Sequence, residues 1–114
     1  MKTYCLTLDL KDDPELIAEY ERYHQQVWPE ILQSIAQSGI LNMTIYRWSN
    51  RLCMIMKTED DFDPAEKVRK DAANPKVQEW ETLMWKYQQA LPGAPAGTKW
   101  VEMEPICEYE TKLP

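Results

Sequence analysis

The sequence is poor in the residues from which metal sites and disulfide frameworks are built. It contains three cysteines, an odd number with no CxxC pair, and a single histidine, His24. These counts argue against a disulfide framework and against a zinc or other transition-metal site. We therefore expect no metal, and we expect reduced thiols of the kind found in the cytoplasm. The cysteines are predicted to be small buried hydrophobic residues on strands; they are Cys5, Cys53 and Cys107.

Long apolar runs and an excess of positive charge are missing as well. No run approaches the roughly 18 apolar residues of a membrane-spanning helix, and we expect no signal peptide at the N-terminus. With 13 Lys and Arg against 19 Asp and Glu, the formal net charge is −6. This charge argues against binding to nucleic acid and to an anionic membrane surface. The sequence also has no glycine-rich phosphate loop and no nucleophile elbow, so nothing in it indicates phosphoryl or acyl transfer.

The sequence does contain the strand and helix patterns of one domain. Its 114 residues suffice for a single domain over 1–114. Alternating apolar residues predict strands, and Asp-Pro or Asn-Pro pairs predict helix starts. The predicted elements are a strand over 3–10, a helix over 14–27, a helical segment from 29 that stops at Gly39, strands over 41–47 and 52–57, helices over 65–73 and 76–90, and a strand over 100–109.

The order strand, helix, strand, strand, helix, strand predicts a ferredoxin-like α+β fold. Such a fold has a four-stranded antiparallel sheet with helices on one face. Its other sheet face is left uncovered. Because apolar and aromatic residues are available for that face, we expect a second copy of the chain to cover it and form a homodimer.

One stretch gathers the side chains best suited to chemistry. Residues 19–30 read EYERYHQQVWPE and contain His24, a residue type whose ordinary pKa lies near neutral pH. In a helix, Tyr20 and His24 lie four positions apart and share a face. Trp28 follows, just before the helix break expected at Pro29. These residues predict a small polar pocket at a helix end.

The same residues also allow structural interpretations. A lone histidine is more often structural than catalytic. The five tryptophans fit core and interface packing as well as a stacking platform for an uncharged ligand. Trp80 is the best candidate for such a platform, because its helix packs on the same sheet face. The residues alone predict a small α+β dimer with a His/Tyr/Trp pocket and leave its function open.

Residues 19–24 (EYERYH) followed by 27–30 (VWPE) resemble the signature of the L-rhamnose mutarotase family. Members are small dimeric α/β-barrel proteins, some of them described as L-fucose mutarotases. The resemblance implies an isomerase that interconverts the α and β anomers of a 6-deoxy hexose, a monosaccharide, without a cofactor. It covers nearly the whole chain, continuing through Gly39, Asn42, Ile45-Tyr46, residues 50–52, VQEW at 77–80 and Leu91-Pro92.

The resemblance also implies roles for individual residues. His24 matches the residue described as the proton donor, and Tyr20 and Trp80 match positions that contact the sugar. The family pattern has a tyrosine where this chain has Met43, and a second tryptophan where it has Glu81. We therefore expect His24 to act in acid–base catalysis, Tyr20 and Trp80 to bind the sugar, and Met43 and Glu81 to influence specificity.

Mutarotation fits the pocket predicted from the residues. It needs a proton delivered to the ring oxygen and one removed from the anomeric hydroxyl, and general acid–base help of about 10²–10⁴-fold from a histidine suits that task. The same barrel architecture also hosts haem-degrading proteins and small monooxygenases. A haem-binding protein, a small-molecule monooxygenase, a non-catalytic sugar-binding module and a purely structural dimer therefore stay open as alternatives. The choice between L-rhamnose and L-fucose is open as well.

Overall fold

The computed structural model of this chain describes residues 1–111, which form one antiparallel sheet and the helices that pack on it. In chain order the elements are β1 (Lys2–Leu10), α1 (Pro14–Gln25), α2 (Pro29–Gln37), β2 (Ile40–Trp48), β3 (Arg51–Thr58), α3 (Pro64–Ala73), α4 (Pro75–Trp85), β4 (Gln88–Gln89) and β5 (Val101–Glu102).

The sheet is built around β1. On one side β1 pairs with β3 from Lys2↔Thr58 to Asp9↔Arg51, and β2 pairs with the far side of β3. On its other side β1 pairs with β4 at Leu10 and with β5 at Leu6. All of these pairs are antiparallel, and the strand order is β2-β3-β1-β4. The ferredoxin-like α+β fold predicted from the sequence is confirmed.

The helices begin where the Asp-Pro and Asn-Pro pairs predict. The carboxylate of Asp13 accepts hydrogen bonds from two N–H groups at the start of α1, and that of Asp63 accepts one from the Ala65 N–H at the start of α3. Asn74 ends α3 and also caps α4. Trp28, which precedes Pro29, has the extended backbone that a following proline favours, and it separates α1 from α2. Each cap satisfies N–H groups that would otherwise lack a partner.

The prediction of a helix over 76–90 is wrong at its C-terminal end. α4 ends at Trp85, and the chain then forms a tight turn in which Tyr87 donates its N–H to the Met84 carbonyl. Gln88 and Gln89 pair with the end of β1 instead of continuing the helix. The turn keeps the Tyr87 side chain in the core. Tyr87 therefore continues the helical spacing of apolar residues although it lies beyond the helix.

The prediction of a strand over 100–109 is also largely wrong, since only Val101–Glu102 pair with β1. One further hydrogen bond, from the Met103 N–H to the Cys5 carbonyl, extends this pairing. Pro105 follows two residues later and has no N–H to donate to a ladder. The predicted strand is thus replaced by β4 and β5, which share the edge of β1.

The main core joins the helices to one face of the sheet. Its buried side chains come from β1, α1, α2, β3, α4 and the turn after α4; they are Leu10, Tyr20, Ile31, Leu52, Val77, Trp80, Met84 and Tyr87. The opposite sheet face carries Tyr46 and Trp48, which are 59% and 82% exposed. We call this opposite surface the open sheet face; by the strand register it comprises residues 5, 7, 9, 44, 46, 48, 51, 53 and 55, and it includes the Asp9–Arg51 ion pair.

The cysteines differ in their surroundings. Cys5 and Cys53 lie half-buried on β1 and β3, with their Sγ atoms 3.6 Å apart. Cys107 is exposed and lies beyond the end of β5, so the prediction of a buried strand position is wrong for it. Across the described part of the chain, none of the helices has the length and apolar character needed to cross a membrane.

Candidate active site

A cavity of about 830 Å³ lies between the sheet and the helices. Elements from both ends of the chain line it, from α1 to β4 and the segment before β5. The five residues predicted for the site all line this one cavity; they are Tyr20, His24, Met43, Trp80 and Glu81. The structure thus brings these five side chains together around one cavity, which does not by itself assign their roles.

His24 and Tyr20 are presented by one face of α1, as their spacing predicts. The Nδ1 of His24 lies 2.8 Å from the carbonyl oxygen of Tyr20. A carbonyl oxygen can only accept, so Nδ1 carries the proton and donates it. In the neutral imidazole this leaves Nε2 unprotonated and able to accept a proton from a bound molecule.

Burial keeps the imidazole in this neutral form. Desolvation lowers the pKa of His24 below its ordinary value of 6.5, and the hydrogen bond to the Tyr20 carbonyl, the smaller cause, acts in the other direction. Near neutral pH the side chain is therefore uncharged. It is a base with a free nitrogen beside the cavity.

Tyr20 lies deeper than His24, with its side chain 3% exposed. Its ring centroid is 4.3 Å from that of His24, and its phenol oxygen accepts a hydrogen bond from the Nε2 of Gln88 at 3.4 Å. Burial raises the pKa of Tyr20 above its usual value of 10, partly offset by the Gln88 hydrogen bond. The phenol therefore stays protonated at neutral pH and keeps a hydrogen to donate.

Trp80 is carried by α4, whose first turn is fixed by the Asn74 cap. Its ring packs at steep angles against three aromatic rings, with centroid distances of 5.0 Å to Trp28, 5.6 Å to His24 and 6.3 Å to Tyr23. Trp80 is 9% exposed and belongs to the core, yet it also lines the cavity. The core-packing and platform interpretations are both compatible with this position.

Met43 and Glu81 reach the cavity from different elements. Met43 is on β2 and packs against the second core cluster, which contains Met56 and Phe62. Glu81 is on α4, and its carboxylate accepts a hydrogen bond from Gln78 at 3.3 Å. Because both side chains line the cavity, both lie where they can contact a bound molecule.

The structure adds residues that the sequence interpretation missed. Gln88 lines the cavity from β4, and Trp100 lines it from the segment before β5. Gln88 was hidden because the apolar spacing predicted a helix through it. The observed end of α4 turns it toward Tyr20. Trp100 is one of the five tryptophans considered for packing or a platform, but the sequence interpretation selects Trp80 for the site.

The lining chemistry favours a small, uncharged polar molecule with an apolar side. His24 offers an acceptor nitrogen and Tyr20 a donor hydroxyl, beside an indole and several aliphatic side chains. The charged residues of the lining are two of each sign, Lys67, Lys99, Asp71 and Glu81, and the Nζ of Lys67 lies 2.7 Å from the Oδ1 of Asp71. Within residues 1–111, no group of three or more His, Cys, Asp and Glu side chains is placed to hold a metal ion.

Comparisons with known proteins agree with this picture. A family sequence model described as L-rhamnose mutarotase matches residues 3–109. The chain is 49% identical to an L-fucose mutarotase from Xanthomonas campestris pv. campestris, over 90% of this chain and 83% of that protein. It is 32% identical to an L-rhamnose mutarotase from Phocaeicola vulgatus, over 76% of each chain.

A solved structure supports the fold. The crystal structure of an L-rhamnose mutarotase from Formosa agariphila superimposes with a TM-score of 0.70, covering 96% of this chain and all of that one. The two sequences are 21% identical. This likeness is evidence for the shared fold only.

Proposed function

Because this chain belongs to the L-rhamnose mutarotase family and is a sugar mutarotase, an isomerase, we propose that its substrates are 6-deoxy-L-hexoses and that L-fucose reacts faster than L-rhamnose. The relative described as an L-fucose mutarotase is 49% identical, against 32% for the one described as an L-rhamnose mutarotase. Met43 and Glu81 are the positions at which this chain departs from the rhamnose pattern.

The observation that carries the proposed chemistry is the pairing of His24 and Tyr20. His24 offers an unprotonated Nε2, and Tyr20 offers a protonated phenol, in one cavity. Nε2 takes the proton of the anomeric hydroxyl while the bond from the anomeric carbon to the ring oxygen breaks. The ring oxygen takes the phenol proton. An open-chain aldehyde, an imidazolium and a phenolate result.

Ring closure reverses these transfers on the other face of the carbonyl. Rotation about the bond between the first two carbons turns the aldehyde, and the sugar hydroxyl attacks the carbonyl carbon from the opposite side. The phenolate takes back its proton, and the imidazolium returns one to the new anomeric oxygen. No net proton is gained or lost, so the chemistry requires no cofactor.

Trp80, Met43 and Glu81 are proposed to hold the sugar. The indole edge and the Met43 thioether provide an apolar surface for the 6-deoxy methyl group or for the apolar face of the ring. Glu81 provides a carboxylate acceptor for a sugar hydroxyl, and charge-assisted hydrogen bonds of this kind are among the stronger ones. Met43 and Glu81 are therefore the positions at which L-fucose and L-rhamnose are discriminated.

We also propose that the chain forms a homodimer through the open sheet face and acts in the cytoplasm. Tyr46 and Trp48 on that face are exposed, and large aromatic side chains exposed on one sheet face are typical of an interface. Cys5, Cys53 and Cys107 have free thiols, which supports a reducing compartment.

The test is saturation-transfer NMR of anomer exchange, run with L-fucose and L-rhamnose in parallel. We expect faster exchange with the enzyme for both sugars and a larger acceleration for L-fucose. His24→Ala should reduce the acceleration by about 10²-fold or more. Gln25→Ala, at the neighbouring exposed position of α1, is the matched control and should leave the acceleration unchanged.

Three results would contradict the proposal. Sugar binding without accelerated exchange would indicate a non-catalytic binding module. An acceleration that His24→Ala retains, in a variant whose circular dichroism matches the wild type, would remove His24 from the chemistry. A larger acceleration for L-rhamnose would reverse the proposed substrate order.

A further inference from the structure

Gln88 is a polar side chain buried in the wall of the cavity. It is 5% exposed, and its backbone is held by pairing with Leu10 at the end of β1. Burying a carboxamide costs free energy unless its groups find hydrogen-bond partners. A methionine would fill similar space without that cost. A buried amide at this position is therefore expected to have a hydrogen-bond partner.

The partner is the hydroxyl of Tyr20. The Nε2 of Gln88 lies 3.4 Å from the phenol oxygen, and an amide nitrogen can only donate. A phenol has one hydrogen to donate and an oxygen that accepts. With the oxygen accepting from Gln88, the phenol hydrogen is turned away from the amide. The backbone carbonyl of Tyr20 accepts a separate hydrogen bond, from the Nδ1 of His24.

We propose that Gln88 is a positioning residue of the mutarotase site, fixing the Tyr20 hydroxyl as a hydrogen donor toward the sugar. This inference rests on the proposed function, in which Tyr20 supplies the proton to the ring oxygen. Gln88 acts through Tyr20, and the strand pairing of β4 keeps its amide in place. The hydrogen bond also favours the phenolate that forms during ring opening, because its donor faces the developing charge.

The first test compares variants at two neighbouring positions. Gln88→Met keeps the side-chain volume and removes the donor, and we expect kcat for anomer exchange to fall about 5–10-fold with little change in KM. Gln88→Glu introduces an acceptor that draws the Tyr20 hydrogen toward itself, so its kcat should fall further. Gln89→Met, at the exposed position next along β4, is the matched control and should behave as wild type.

A double-mutant cycle separates positioning from general packing. In a Tyr20→Phe background the phenol is absent, so Gln88→Met should cause no further loss. An equal loss in both backgrounds would overturn the proposal, because it would show that Gln88 does not act through Tyr20. If Gln88→Met does not fold, Gln88→Asn, whose shorter amide does not reach the phenol, replaces it in the cycle.

A readout without sugar keeps the inference distinct from the proposed function. In protein labelled with ¹³C at the tyrosine ζ carbons, the Tyr20 signal is assigned by its loss in Tyr20→Phe. We expect Gln88→Met to move this signal and Gln89→Met to leave it in place. An unmoved signal would overturn the inference even if the enzyme is active. A moved signal with no anomer exchange in the wild type would overturn the proposed function and, with it, the role assigned to Gln88.

Discussion

At the scale of single residues, His24 is set by two opposing effects. Burial lowers its pKa below 6.5, and the hydrogen bond to the Tyr20 carbonyl raises it, with burial the larger cause. The hydrogen bond also selects the tautomer with a free Nε2. One helical turn therefore supplies the partner and the tautomer of the proposed base, and burial supplies its neutral charge.

The pH dependence of exchange should report this pKa. We expect the midpoint of the acid limb of the pH–rate profile to lie below pH 6.5, because the base is lost only when His24 becomes protonated. Since the chain has a single histidine, no second imidazole confuses the assignment. An acid limb centred at or above 6.5 would contradict the burial argument. NMR titration of the His24 ring signals provides the independent measurement.

The same shift has a consequence for stability, with a defined sign. Below 6.5 the unfolded chain binds a proton at His24 more readily than the folded chain does. The neutral His24 side chain therefore favours the folded state fully above pH 6.5. This stabilisation is lost as the pH falls through the lowered pKa of His24 in the folded chain. His24→Gln removes the group, so its unfolding free energy should lose that part of the pH dependence.

The residue scale also shows what the sequence could predict about the site. Tyr20 and His24 were found because a spacing of four residues places side chains together on any helix, whatever packs around it. Gln88 was not found, because it reaches Tyr20 only through strand pairing between positions that are far apart in the sequence. Local spacing carries no information about that contact.

At the scale of elements, the helix starts were predictable and two element ends were not. Asp13, Asp63 and Asn74 satisfy the first N–H groups of their helices through side chains only two or three residues away. Such caps are local chemistry. The end of α4 and the length of β5 instead depend on how much of the β1 edge is available for pairing.

The cap at Asn74 gives a prediction at this scale. Its side-chain oxygen accepts from the N–H groups of Lys76 at 3.0 Å and Val77 at 3.3 Å, at the start of the helix that carries Trp80. Asn74→Ala should lower the unfolding free energy by about 1 kcal/mol, measured by urea denaturation. Asn74→Ser retains a capping oxygen and should lose much less. Equal losses in the two variants would show that the cap is not the cause.

At the scale of the whole molecule, the two faces of the sheet differ in what covers them. One face packs against helices and carries the cavity, and along β3 every second side chain is buried on that face. The open sheet face carries Ile55 near its centre and Tyr46 and Trp48 toward one edge. A sheet that exposes aromatic side chains on one face is better stabilised when a second sheet packs on it.

This asymmetry predicts the assembly and a way to break it. Light scattering after size exclusion should give twice the 13.5 kDa chain mass for the wild type. Ile55→Lys places an unpaired charge in the proposed interface, which is costly to bury, and should give the mass of a single chain. Because the open sheet face lies outside the core of a single copy, that variant should retain wild-type circular dichroism.

Gln33→Lys adds the same charge on an exposed position of α2 and should remain dimeric. A wild type with the mass of one chain would contradict the dimer, and a dimeric Ile55→Lys would place the interface elsewhere.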